Sequence, residues 1–319
     1  MEPQRHCTTE RRLSRPWTCI GVLLLFFLGW SPAQGAKARV AVLLSSDALP
    51  YKQALQGLQQ QLGSAEFQMD VYSMQGDAAQ APAALERARK EGAATFVTFG
   101  TLATQAVLNG DNSTPVVAGL VLNAETFRHA GNATGITLDL PLETQFEWMQ
   151  KVLPGSRNIG VLYNPKENQG RIETAVKIAR EHGLKLIAVP VQTPQELPAA
   201  LDDLARQVDA LWSVADAIVM SSQTAQPILL FSFRNHIPLI GLSSTWVKAG
   251  ALYSLDWDYA DIGRQAGEIV QRIQRGARIA DMTPASPRKL TYALNLRSAQ
   301  QLKLSLPPGL VEGARQVFE

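Results

Sequence analysis

Arg39 to Ser46 (RVAVLLSS) is a short unbroken apolar run, followed from Tyr51 by YKQALQGLQQQLG, where apolar positions recur at helical spacing. The same succession returns about 120 residues later, as NIGVLYNP (Asn158 to Pro165) and then RIETAVKIAREHG from Arg171. An unbroken apolar run suits a strand covered on both faces, and a polar loop leading into an amphipathic segment suits the helix that covers it. Two such openings predict an α/β chain with two lobes, each a parallel sheet flanked by helices, and two lobes make a cleft. Open α/β sheets bind ligands outside the carboxyl ends of their strands. The SSD and NPKEN loops would then both face that cleft.

The same reading extends through both halves. In the first, strands are predicted at 67–74, 94–100, 115–121 and 131–140, with helices at 81–91 and at 101–108, the latter N-capped by Thr101. Pro141 opens a helix where its missing N–H costs nothing. In the second half, strands at 159–163, 185–191, 209–214, 238–242 and 251–255 alternate with helices at 171–182, 194–207, about 222–235 and 259–275. A linker at 284–288, a strand at YALNL and a short helix close the chain.

The segment before the first strand changes the charge balance. Arg11, Arg12 and Arg15 precede a 12-residue apolar stretch, Cys19 to Trp30, too short to span a bilayer. Ala36 and Ala38 then offer a small-x-small cleavage site, so residues 1–38 read as a secretory signal peptide. No lipobox precedes Cys19, so the expected location is periplasmic and soluble. Cleavage would remove five basic and two acidic residues, leaving 25 basic against 26 acidic. The basic pI thus belongs to the precursor, and no nucleic-acid partner is expected. Both cysteines, Cys7 and Cys19, would leave too, which excludes disulfides, thiolate metal sites and cysteine nucleophiles from the remainder. That remainder suits two domains.

Catalytic patterns are missing from the sequence. His129, His182 and His236 have no metal-type spacing, and no G-x-S-x-G, H-E-x-x-H, Walker A or G-x-G-x-x-G pattern occurs. No cofactor, metal or catalytic residue is expected. Asp256, Asp258 and Asp261 come nearest to an acid cluster, but they also read as loop, N-cap and first-turn residues of the helix from Tyr259. The ligand-binding candidates are polar residues at strand ends: Ser45, Ser46, Tyr51, Thr101, Thr104, Asn123, Asn164, Asn168, Asp216, Ser243, Ser244 and Asp258. Thr101 and Thr104 lie at a helix N-terminus, where free N–H groups favour an anion. Each residue also has a plain capping or turn reading; their common place at strand ends is what makes the set a site. A small polar or zwitterionic molecule fits it, an amino acid included, with Asp216 meeting an amine. Among the tryptophans, Trp148 reads as core, while Trp246 and Trp257 could stack on a flat ligand or pack against the hinge.

Several stretches resemble a family of ABC-importer substrate-binding proteins. They are GNATGITLDLPLETQFEWMQKVLPGSRNIGVLYNP, DALW with an Asp-containing loop at Asp209 to Asp216, KAGALYSLDWDYADIGRQAGEIVQRIQRG and ALNLRSAQQLKLSLPPGLVEGA. The relatives include binders of aromatic amino acids. The resemblance implies a two-lobed periplasmic-binding-protein-like fold with three interlobe hinge crossovers, closing around a small molecule. It implies a first lobe of residues 39–140 with about 258–285 returning to it, and a second of 141–257 with about 286–319. The expected partners are a small-molecule ligand and the membrane permease of an ABC importer, and the chain is expected to be monomeric. The chain departs from the Pro-Asp-x-Thr-like loop of many relatives, with Ala215-Asp216-Ala217-Ile218 in its place. A periplasmic sensor subunit feeding a membrane receptor or kinase, and a secreted enzyme, remain as alternatives.

Overall fold

A computed structural model describes residues 37–122, 124–307 and 309–319. The predicted signal segment up to residue 36, and the candidate Asn123, lie outside the described residues.

The first sheet holds β1 (Ala38–Leu44), β2 (Phe67–Ser73), β3 (Thr95–Phe99), β4 (Val116–Val121) and β5 (Ala133–Thr137), all parallel, in the order β2-β1-β3-β4-β5. Successive residues of β1 serve opposite faces. Val40, Val42 and Leu44 join one core, and Ala41 and Leu43 another. Helix α1 (Leu49–Leu62) covers the first face; α2 (Ala81–Lys90) and α3 (Thr101–Gly110) cover the second. This is why the strand reads as an unbroken apolar run.

After β5 the chain crosses at 138–141 into α4 (Leu142–Val152) and a second three-layer unit. It is built from β6 (Asn158–Tyr163), α5 (Pro165–Glu181), β7 (Lys185–Pro190), α6 (Leu197–Leu204), β8 (Ala210–Trp212), α7 (Ala225–Asn235), β9 (Leu239–Gly241), α8 (Ser244–Ala249) and β10 (Tyr253–Trp257). Helices α4 and α5 cover one face of its sheet, and α6, α7 and α8 the other.

From β10 the chain crosses back as α9 (Tyr259–Gln274), which packs on α1 beneath the first sheet. Residues 275–289 then skirt that sheet, where Ala285 exchanges backbone hydrogen bonds with Gly135 and Thr137 at 2.9 and 3.1 Å. The third crossing enters β11 (Leu290–Asn295), followed by α10 (Leu296–Gln301) and β12 (Gln316–Phe318). The second sheet therefore runs β12-β11-β10-β9-β8-β6-β7.

That sheet departs from the expected all-parallel pattern at one pair, β10 with β11, which is antiparallel. The hinge dictates this. The chain leaves β10 at its carboxyl end and returns at the same end, with Trp257 opposite Leu290, so the returning strand must run the other way. Other boundaries shift as well. Helix α5 begins six residues before the predicted 171, because Asn164 accepts a hydrogen bond from the N–H of Lys166 (3.1 Å) and Pro165 occupies the first turn. Strand β10 lies two residues beyond the predicted 251–255, so Asp256 belongs to a strand instead of a loop. Gly100, not Thr101, is the N-cap of α3, and α8 and β12 were not foreseen.

The α1–α9 crossing is the closest helix contact of the first unit. A Cβ placed on Gly57 would sit 1.8 Å from the carbonyl oxygen of Ala260, and one on Gly263 would sit 1.9 Å from that of Ala54. The two backbones touch reciprocally, with no space for a methyl group on either side. Alanine in an unconstrained helix is more stable than glycine by about 0.5–1 kcal/mol, whereas overpacking costs about 1–3 kcal/mol or more. Gly57→Ala and Gly263→Ala are thus expected to lower stability in urea unfolding by at least about 1 kcal/mol. A gain in stability from either would refute the close crossing.

Candidate functional site

In both sheets the order reverses beside the first strand to enter, between β1 and β3 in one and between β6 and β8 in the other. Ligands of open α/β sheets settle at such switch points. A cavity of about 410 Å³ lies in the second unit at the ends of β8, β9 and β10, bounded by the hinge. Its wall takes Ser213, Val214 and Ala215 from beyond β8, Ile240 to Leu242 from the end of β9, and Tyr253, Leu255, Asp256 and Trp257 from β10. Leu138, Asp139 and Leu140 come from the first crossing and Tyr259 from the second. Helices α4 and α5 add Gln145, Met149, Asn168 and Arg171, and Leu122 enters from the end of β4.

Apolar and aromatic side chains dominate this wall, and both of its tryptophans are held by specific contacts. Trp212 donates its indole N–H to Oε1 of Gln145 at 3.1 Å and packs against Phe146 with ring centroids 5.5 Å apart. Gln145 in turn donates to the Leu140 carbonyl (2.9 Å), tying α4 to the crossing. Trp257 donates its indole N–H to the Leu138 carbonyl at 3.1 Å, joining the second crossing to the first. Packing against the hinge is therefore the reading that holds for Trp257, although its side chain also walls the cavity. Trp246 packs in the core beneath β9 instead, and Trp148 stacks on Tyr292 at 4.6 Å. Tyr253 is fully buried, and its hydroxyl has no hydrogen-bond partner among the described residues. Burial pushes that phenol well above its ordinary range.

Charge is sparse in the wall. Arg171 and Asp139 approach to 3.5 Å across the hinge. Asp256 is half-buried, accepting from the hydroxyl of Tyr259 (2.5 Å) and the N–H of Trp257 (2.8 Å). Burial pushes its carboxyl above the usual carboxylate range, against the pull of those bonds and of Arg315. Asp258, two residues on, is held below it: burial opposes the charge, but the N–H of Asp261, Lys289 at 3.2 Å and Arg264 outweigh that.

The predicted residues fall into three groups. Asn168 alone among the eleven described candidates lines the cavity. Asn164 and Asp216 stand behind it and organise the loop. Oδ2 of Asp216 accepts from the Asn164 backbone N–H (2.6 Å) and from Nδ2 of Asn168 (2.9 Å). Oδ1 accepts from the backbone N–H groups of Ile218 (2.9 Å) and Val219 (2.8 Å). With four donors already satisfied and no place in the wall, this carboxylate holds the loop; pairing with an amine does not match its geometry. Ser243 and Ser244 only begin α8, and Asp258 caps α9.

The remaining candidates gather at the switch point between β1 and β3. Oγ of Ser45 accepts from the N–H of Ala103 at 2.9 Å, filling one free donor of α3. Ser45 and Tyr51 both lie against Gly100. Thr104 is fully buried, bonded to Thr98 and to the Gly100 carbonyl at 2.9 Å each, so it is interior rather than ligand-facing. Thr101 is half-buried in the first turn of α3, and Ser46 accepts from the Ala48 N–H at 3.2 Å. Sequence reasoning passed over Trp212, Tyr253, Asp256, Tyr259, Gln145 and Arg171. The available signal was position: the strand ends of DALW and YSLDW, and the LDLPL crossing, supply much of the wall.

Two α/β/α units joined by three crossings, with a cavity at their strand ends beside the hinge, define a bilobal solute-binding fold of the type I periplasmic kind. The chain belongs to the ABC transporter substrate binding protein family, whose profile matches residues 37–318. A tyrosine-binding protein of Clostridioides difficile is 27% identical over 197 residues, which is 60% of this chain and 56% of that protein, so the match spans little more than half of the relative. An uncharacterized protein of Rickettsia prowazekii is 21% identical over 268 residues, 83% of this chain and 85% of its own length. Among solved structures, a ligand-free, open substrate binding protein with adhesive properties from Clostridium difficile matches with a TM-score of 0.76 at 18% identity, covering 88% of this chain and 99% of that one. A domain in complex with L-Trp from Streptococcus pneumonia matches with a TM-score of 0.61 at 20% identity, covering 89% and 100%.

Two substitutions test the roles assigned here. Asp216→Ala strands four donors, three of them backbone N–H groups, and is expected to cost about 2–4 kcal/mol of stability in chemical unfolding. A change of less than about 0.5 kcal/mol would contradict the loop-holding role. For Asp256 the sign follows from its raised pKa. The folded protein binds that proton more tightly than the unfolded chain does, so the contribution to stability is full below the unfolded pKa and is lost as pH rises through the folded one. Asp256→Asn should therefore gain on the wild type in melting temperature between roughly pH 4 and pH 7. An equal offset at both pH values would rule this out.

Proposed function

We propose that this chain captures a small zwitterionic molecule, an amino acid with an apolar or aromatic side chain, and presents it to the membrane permease of an ABC importer in the periplasm. The observation that supports this most is the cavity at the hinge. Its volume suits one small ligand. Its wall is largely aromatic and aliphatic, and it includes both signs of charge in Arg171 and in Asp139 and Asp256. A ligand carboxylate and ammonium would each find an opposite charge there, with Asn168 beside them, while the side chain lies against Trp212, Tyr253 and Trp257. The tyrosine-binding relative and the L-Trp complex point to the same chemistry. The expected signal segment supports a periplasmic location.

In this reading the lobes comprise residues 39–140 with about 258–285, and 141–257 with about 286–319. They close on the ligand about the three crossings. Ser45, Tyr51 and Thr101, at the switch point of the first lobe, approach the ligand on closure. Calorimetric titration with the twenty L-amino acids is expected to give tight binding of tyrosine, tryptophan or another large apolar member and none of glycine. Small-angle scattering at saturation should show a smaller radius of gyration. No heat from any amino acid would reject this ligand class, and binding with an unchanged radius would reject closure.

A further inference from the structure

The cavity wall comes almost wholly from the second unit and the hinge, and Leu122 is the exception. It follows β4 of the first sheet and is 72% exposed, yet it lines the cavity. A single exposed leucine is ordinary on a protein surface. What sets this one apart is how the backbone delivers it. The register of β4 on β5 runs Ala118 opposite Gly135 and then Val121 opposite Thr137, so β4 spends three residues where β5 spends two. The extra residue is a β-bulge, and within it Leu120 adopts φ +57°, a left-handed conformation that a bulky side chain adopts only under constraint. An inserted residue reverses the alternation of side chains along a strand. Leu122 therefore leaves β4 on the side opposite to the one a regular strand would give it. Bulges and strained backbone concentrate where a side chain must be re-aimed at a functional site.

We infer that Leu122 is a specificity-determining residue of the first lobe: the bulge at Leu120 presents it as an apolar cover that lies on the ligand's side chain when the lobes close. This rests on the proposed binding function and deepens it. In the unliganded protein Leu122 is held in water, and a ligand with an apolar side chain gives it a surface to cover, facing Met149, Trp212, Leu242 and Trp257 across the cavity. A ligand with a short or charged side chain leaves the leucine exposed and the closed state without that contribution. Leu122 thus ties closure to the apolar character of the ligand.

The test uses the chain from residue 37 onward as wild type, Leu122→Ala and Leu122→Asn, titrated with L-tyrosine, L-tryptophan and L-leucine. Because Leu122 is exposed, both variants should melt within about 1–2 °C of the wild type without ligand. Affinity for whichever of these amino acids the wild type binds should fall about five- to thirtyfold in both variants, mainly through faster dissociation. Asparagine keeps the branched heavy-atom outline of leucine but is polar, so a loss in that variant as large as in Leu122→Ala assigns the effect to apolarity. Equal affinities in all three proteins would overturn the role of Leu122 and leave the binding function standing. If the wild type binds none of the amino acids, the function itself falls. The apolar fluorophore 8-anilinonaphthalene-1-sulfonate then serves as probe of the same cavity: weaker binding to Leu122→Ala supports the cover, and unchanged binding overturns it.

Discussion

Everything about the arrangement of the two units depends on the reciprocal contact of α1 and α9. Gly57 and Gly263 let these backbones meet with no side chain between them, and Ile262, Ala266 and Val270 of α9 complete the core that Ala54, Leu58 and Leu62 of α1 begin. Helix α9 follows directly from β10 of the other sheet. Together with the hydrogen bonds of Ala285 to β5, this contact draws the chain out of its second unit at Trp257 and back at Leu290. The crossing thus creates two of the three hinge segments and the antiparallel pair that follows from them.

The hinge segments are bonded to one another as well as to their own units. Trp257 reaches the carbonyl of Leu138, the N–H of Asp258 donates to the carbonyl of Lys289 at 2.9 Å, and Arg315 donates to the Trp257 carbonyl (3.4 Å) and to Gln53 of α1 (3.1 Å). The three crossings are therefore coupled laterally. Of the crossing residues, Leu138, Asp139, Leu140, Asp256, Trp257 and Tyr259 wall the cavity. In the proposed function a molecule bound there would touch the crossings directly, so a preference of the ligand for a closed arrangement would act on the hinge without an intermediary.

The fold was legible because both sheets are covered on both faces, which writes each strand as an unbroken apolar run and each helix as a periodic one. Where that condition weakens, so did the reading. Helix α8 has six residues, too few to show a period, and β12 is a three-residue edge strand. The loop NPKEN carried its own helix signal in Asn164 and Pro165, but its polarity made it look like a cleft loop. At the site, candidates were chosen as polar residues at strand ends, and among the described ones Asn168 lines the cavity. Asp216 and Thr104 are polar because the loop and the helix end require their hydrogen bonds. The actual wall is mostly apolar, and apolar residues at strand ends are indistinguishable in sequence from core.

That distinction has a physical basis that bears on recognition. A buried polar side chain must be satisfied within the protein or by a ligand, and most are satisfied within. Asp216 with its four donors belongs to the first kind, whereas the hydroxyl of Tyr253 has no partner among the described residues. Leaving a buried hydroxyl without a partner costs about 1–3 kcal/mol. That penalty falls away for any occupant, or any closing movement, that supplies a hydrogen bond. Under the proposed binding function, the wall would combine apolar area, which favours ligands by size, with the hydroxyls of Tyr253 and Ser213, which would discriminate among ligands of similar size by chemistry.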